Sequence, residues 1–113
     1  MTRYLISFPS AAMDVSEDEL PNVARDAHAV IQEARDVGAY IFSGGLNDDV
    51  EPVLVAGDRT VTPGTYPESK ELSGGFAVLD LPSREAALEW GAKIAVACRC
   101  SQEVREFQFD PLT

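Results

Sequence analysis

Two long segments with helical periodicity, each flanked by short runs that alternate like strands, constrain this chain more than any other feature. The first follows a small-residue loop over Ser10–Val15 and a Ser16-Glu17-Asp18-Glu19 stretch with the form of a capping box. Pro21 sits where a helix begun at Ser16 would already need its amide hydrogen. Either the first turn is therefore separate, or the main helix begins at Pro21. Leu20, Ala24, Ala27, Ile31, Ala34 and Gly38 recur at three- and four-residue steps, an apolar stripe that Gly38 closes as a C-cap glycine. The second segment opens at Pro82-Ser83, with Ser83 as N-cap and Glu85 in the first turn. Its stripe is Ala87, Trp90, Gly91, Ile94 and Ala97, and Gly91 leaves room for close approach to a sheet.

Strand patterns occupy Arg3–Phe8, Tyr40–Ser43 (ending at Gly44-Gly45), Phe76–Leu81 and Val104–Phe109. Between the second and third, Val53–Ala56 and Arg59–Thr62 flank Gly57-Asp58, a two-residue hairpin signal. The order is strand, helix, strand, hairpin, strand, helix, strand. Without the hairpin it is βαββαβ, the ferredoxin-like α+β plan, with both helices on one face of an antiparallel sheet. One covered face needs one apolar residue in two. Tyr4 and Leu5, Ile41 and Phe42, and Val78 and Leu79 put apolar groups on both faces. A second copy is the simplest cover for the remaining face, so a symmetric homodimer is expected.

At 113 residues the chain is expected to form one domain, 1–113. Nineteen acids against nine bases give a net charge of −10, which opposes nucleic acid and anionic membranes as partners. No apolar run approaches the roughly 20 residues of a membrane span. The N-terminal apolar stretch is too short for a signal peptide, so the expected location is cytoplasmic. Cys98 and Cys100 are two apart, read as reduced thiols near a helix end. With His28 the only histidine, no metal site is expected. Gly44-Gly45 and Gly74-Gly75 fit neither the phosphate-loop nor the dinucleotide spacing, and no cofactor is expected; without a Gly-x-Ser-x-Gly, Ser7, Ser43, Ser69 and Ser73 give no nucleophile signal.

The stretch Val61-Thr62-Pro63-Gly64-Thr65-Tyr66-Pro67-Glu68-Ser69-Lys70-Glu71, followed by Leu72-Ser73-Gly74-Gly75-Phe76, resembles the signature of the YCII-related proteins, in particular the DGPF-domain branch. Gly64, Glu68, Lys70 and Glu71 fit that signature; Tyr66 replaces its phenylalanine and Ser69 its threonine. The acid and the proline of the branch name are Pro63 and Thr65 here, so any acid role at that position is absent. Arg84–Trp90, Glu103-Val104-Arg105 and Gly38–Leu46 resemble further family segments. The resemblance implies a dimeric α+β barrel and covers nearly the whole chain. It implies small enzymes or ligand-binding modules, some near regulatory sigma factors.

Two constellations carry the candidate chemistry. On a wheel of about 100° per residue, His28 falls about 100° from the centre of the first apolar stripe, at its edge. Arg25-Asp26-Ala27-His28 resembles the Arg-x-x-His of the YCII branch, where a His–Asp pair has been proposed as catalytic; Asp14 is the counterpart this implies. Such a pair suits general acid–base work, the carboxylate orienting the ring. The alternative is a histidine at a helix–sheet or dimer boundary. Tyr66, Glu68, Lys70 and Glu71 form the second set: a pocket rim in which Lys70 holds an anionic group and Tyr66 stacks or donates, or else a structural plug. Three functions follow as expectations. One is binding of a small organic molecule in a cleft between sheet and helices beside the 61–76 loop. Another is a cofactor-free enzyme using His28 and Asp14 for proton transfer or hydrolytic dehalogenation of a small aromatic. The last is a structural or regulatory partner of a larger complex.

Overall fold

The structure, a computed structural model, describes residues 1–67 and 73–113. Among the described residues the α-helices and strands follow in the order β1 (Thr2–Phe8), α1 (Leu20–Asp36), β2 (Tyr40–Gly45), β3 (Val53–Val55), β4 (Val61–Pro63), β5 (Gly75–Leu81), α2 (Arg84–Cys98) and β6 (Glu103–Glu106). The main sheet has the order β2-β5-β1-β6, every neighbour antiparallel. Each helical connection passes over one strand: β1 to β2 across β5, and β5 to β6 across β1. That is the ferredoxin-like α+β plan, with β3 and β4 as a separate hairpin inserted between β2 and β5.

Register decides which side chains meet. Tyr4 lies opposite Leu79 and Ile6 opposite Ala77, all four buried on the helix-facing side. Leu81 joins them, and Ala34, Ala87 and Ile94 close the core from the helices. Leu5 lies opposite Val78, and Arg3 opposite Asp80, on the other side. The rings of Phe42 and Phe76 meet there, 5.8 Å apart and tilted by 42°. Phe42 is 55 % exposed, so this second apolar face is open.

The helix ends follow local chemistry. Glu17–Glu19 forms a separate 3-10 turn, and Pro21 stands in the first turn of α1, where its missing N–H costs nothing. Ser16 makes no side-chain cap, so the expected capping box is absent. At the other end Gly38 takes φ +77°; its N–H donates to Arg35 O (3.1 Å) and that of Ala39 to Ala34 O (2.9 Å). This is a Schellman ending. In α2, Ser83 Oγ accepts from the Ala86 N–H at 3.1 Å. Gly91 is buried, and a Cβ there would lie 3.2 Å from Val104 Cγ2 on β6. Arg99, the left-handed C-cap of α2, reaches Asp26 of α1 at 2.9 Å and ties the end of one helix to the start of the other.

Of the α1 stripe, Ala34 is buried, Ala27 and Ile31 pack partly buried against the core, and Leu20 and Ala24 are exposed. Two expectations need correction. The hairpin does not turn through two residues. Arg59 takes φ 74°, its N–H donates to Ala56 O, and the Ala56 N–H donates to Thr60 O. This is the three-residue loop of a turn followed by a left-handed residue, with Arg59 where glycine is usual. Finally, β6 ends at Glu106, opposite Tyr4, and Phe109 lies beyond it, almost wholly exposed.

Candidate functional site

One end of the sheet stays open beneath the helices. The C-terminal ends of β1 and β2, the N-terminal end of β5 and the residue before β6 all lie at this end. There the first turns of α1 and the last turns of α2 stand over them. The space between is a cleft of about 620 Å³. Its roof is Leu20, Val23, Ala24, Ala27, His28 and Ile31 from α1, with Ile94, Ala97 and Cys98 from α2. Thus the stripe that periodicity picked out on α1 faces this space more than the packed core. Ile6, Phe8 and Ala77 form the floor, with the backbone of Gly44, Gly45 and Gly75 at its edge.

Gly74 sets that floor. It takes φ +77°, and a Cβ there would lie 2.2 Å from Phe8 O and 2.8 Å from Ser10 N. Only glycine lets the start of β5 run so close to the end of β1. The Ser10 N–H donates to Ser73 Oγ (3.0 Å) and the Leu46 N–H to Gly74 O (2.7 Å), holding three chain segments together at the cleft mouth.

Among the described residues, no aspartate, glutamate, lysine or arginine lines the cleft. Its polar groups are His28, Ser43, Gln102 and the Cys98 thiol. Ser43 Oγ lies 3.1 Å from the Tyr40 hydroxyl, and the Arg35 guanidinium sits over the Tyr40 ring, 4.1 Å from its centroid. The hydrogen bond with Ser43, helped by Arg35, holds the Tyr40 phenol below its usual range despite partial desolvation. Gln102 Nε2 donates to Cys100 O at 3.1 Å, while its Oε1 is buried with no donor among the described residues. Burial pushes the Cys98 thiol up, which keeps it protonated and unreactive at neutral pH.

His28 stands in the α1 wall of the cleft, with much of its surface in solvent. Asp14 is exposed in the loop after β1 and is not part of the cleft lining. No hydrogen bond or ion pair joins the two. Tyr66 is 66 % exposed and lies outside the cleft. Glu68, Lys70 and Glu71 lie outside the described residues. Among the described residues of the 61–76 stretch, Gly75 and Phe76 reach the lining. Among the described residues, no group of three or more histidines, cysteines, aspartates or glutamates is placed to hold a metal ion. None of the helices there is long and apolar enough to cross a membrane.

Sequence reasoning missed Ser43, Gln102 and Met13 in the lining. Ser43 carries no local signal, because its direction depends on an irregular pairing of β2 with β5 between Tyr40 and Phe42.

The family model of the YCII-related domain matches residues 10–108, so the chain belongs to that family. No curated protein matches the chain.

Proposed function

We propose that this member of the YCII-related family binds a small organic molecule in the cleft between its helices and sheet, and that it does so as a cytoplasmic homodimer. The observation that carries the reading is the cleft itself: about 620 Å³, walled by aliphatic and aromatic groups, with a few polar atoms at fixed places. Space of that size and lining is typical of sites for small ligands. The dimer is supported by the open second face of the sheet, where Leu5, Phe42, Phe76 and Val78 lie together. An apolar surface of that kind is rarely left to water. The cytoplasmic placement is supported by Cys98 and Cys100, both free thiols.

A screen for compounds that raise the melting temperature tests the reading, since a ligand of the native state stabilises it by mass action. Ala24 is exposed and lines the cleft, so Ala24→Trp fills the site without disturbing the core. Hits should shift the native protein and leave Ala24→Trp unmoved. Equal shifts in both would remove the cleft from the account.

His28 in the cleft wall favours a second reading, cofactor-free acid–base chemistry. Among the described residues its ring has no carboxylate partner, so in that reading the substrate itself, or Asp14 after a loop movement, orients it. His28→Ala then abolishes turnover. In the binding reading the same change leaves affinity within a few-fold.

A further inference from the structure

In a regular strand, residues three apart point to opposite faces. Tyr40 and Ser43 do not. Tyr40 pairs with Leu79 and Ser43 with Ala77, both on the helix-facing side, because the register of β2 against β5 slips between Tyr40 and Phe42. The extra residue, Ile41, is a bulge. Bulges re-aim side chains, often beside functional sites. Here the result is a serine hydroxyl in the wall of a largely apolar cleft, backed by a tyrosine hydroxyl at 3.1 Å.

We propose that Ser43 is the polar anchor of this cleft: its hydroxyl donates a hydrogen bond to a carbonyl or ether oxygen at one end of a neutral, otherwise apolar ligand. The inference rests on the cleft being a binding site. Three observations narrow it to Ser43 and to that ligand class. Either hydroxyl can donate in this pair; with the phenol, the more acidic O–H, donating to Ser43 Oγ, the serine proton is free for a ligand. Gln102, at the far edge of the sheet about 14 Å away across three strand spacings, has its amide nitrogen engaged with Cys100 O and its oxygen shut off from solvent. His28 is exposed at the cleft wall, where water competes for its hydrogen bonds. The described lining is aliphatic and aromatic apart from a few neutral polar groups, and in a chain of net charge −10 such a lining suits a neutral ligand better than an anion, which would give up its hydration there.

Three probes of one shape separate these claims: acetophenone, with the carbonyl; α-methylstyrene, its hydrocarbon counterpart; and benzoate, an anion. Amide chemical shifts of Gly44, Gly45 and Gly75 report binding at the cleft and, at the same time, the fold of each variant. The expected result is that acetophenone and α-methylstyrene both move these amides, with acetophenone about three- to tenfold tighter, and that benzoate does not. Ser43→Ala should abolish that preference and leave α-methylstyrene binding unchanged. Tyr40→Phe, which releases the serine rotor, should reduce the preference without removing it. If Ser43→Ala keeps the full preference for the carbonyl, the anchor is elsewhere and the inference fails while the cleft stands. If benzoate binds as well as acetophenone, the neutral class is wrong. If no probe moves these amides, the cleft reading fails together with the anchor.

Discussion

At the scale of single residues, the features legible in the sequence are those whose cause is local. Ser83 caps α2 and Gly38 ends α1 because each acts on backbone groups within a few positions. Ser43 was out of reach, since its direction comes from a slip against a strand more than thirty residues away. Gly74 was visible only as half of a glycine pair; its necessity comes from Phe8 and Ser10, far off in the chain. Gly74→Ala should therefore cost about 2–4 kcal/mol in urea unfolding, because the clash is with backbone and the φ is left-handed. Asp26 gives a pH test. Its hydrogen bond from Arg99, outweighing partial desolvation, holds its carboxyl below the ordinary range. The unfolded chain thus takes up this proton at higher pH than the folded one. The contribution is complete above the unfolded pKa of about 3.9 and is lost as pH falls through the lower folded value. Thermal melts of native protein and Asp26→Asn should differ at neutral pH and converge in acid.

At the scale of elements, periodicity located both helices and the four main strands, but it did not say what covers an apolar stripe. Leu20, Ala24, Ala27 and Ile31 read as one apolar stripe; all four line the cleft, and Ala27 and Ile31 pack against the core as well. The hydrophobic pattern records that a face avoids water; a ligand site and a packed interior leave the same mark. The hairpin teaches a related lesson. Gly57-Asp58 suggested the tightest turn, yet the strands meet through Ala56 and Thr60, with Arg59 in the left-handed region. That conformation costs a side-chain-bearing residue about 1–2 kcal/mol, whereas glycine adds only about 0.5–1 kcal/mol of chain entropy. Arg59→Gly should hence stabilise the hairpin slightly. Slower hydrogen exchange at the Ala56 amide, whose partner is Thr60 O, would show it; faster exchange would count against the assigned turn.

At the scale of the whole molecule, the shape argues for an incomplete surface. The chain forms a slab, 43 × 43 × 21 Å, with a radius of gyration of 15.7 Å. A compact domain of this length has about 13 Å. The hairpin and the tail beyond β6 carry Val53, Val55, Val61, Phe109 and Leu112 into solvent, and the sheet leaves Phe42 open on the side away from the helices. The two-faced strands were legible in the sequence, and the structure places their outer residues together on one side. The proposed homodimer covers that side and leaves the cleft, on the helix side, free for ligand. Sedimentation equilibrium at low micromolar concentration tests this most directly. The account predicts a particle of twice 12.2 kDa, reduced to one subunit by Phe42→Glu. A native protein that sediments at 12.2 kDa, its outer sheet face in water, would contradict it.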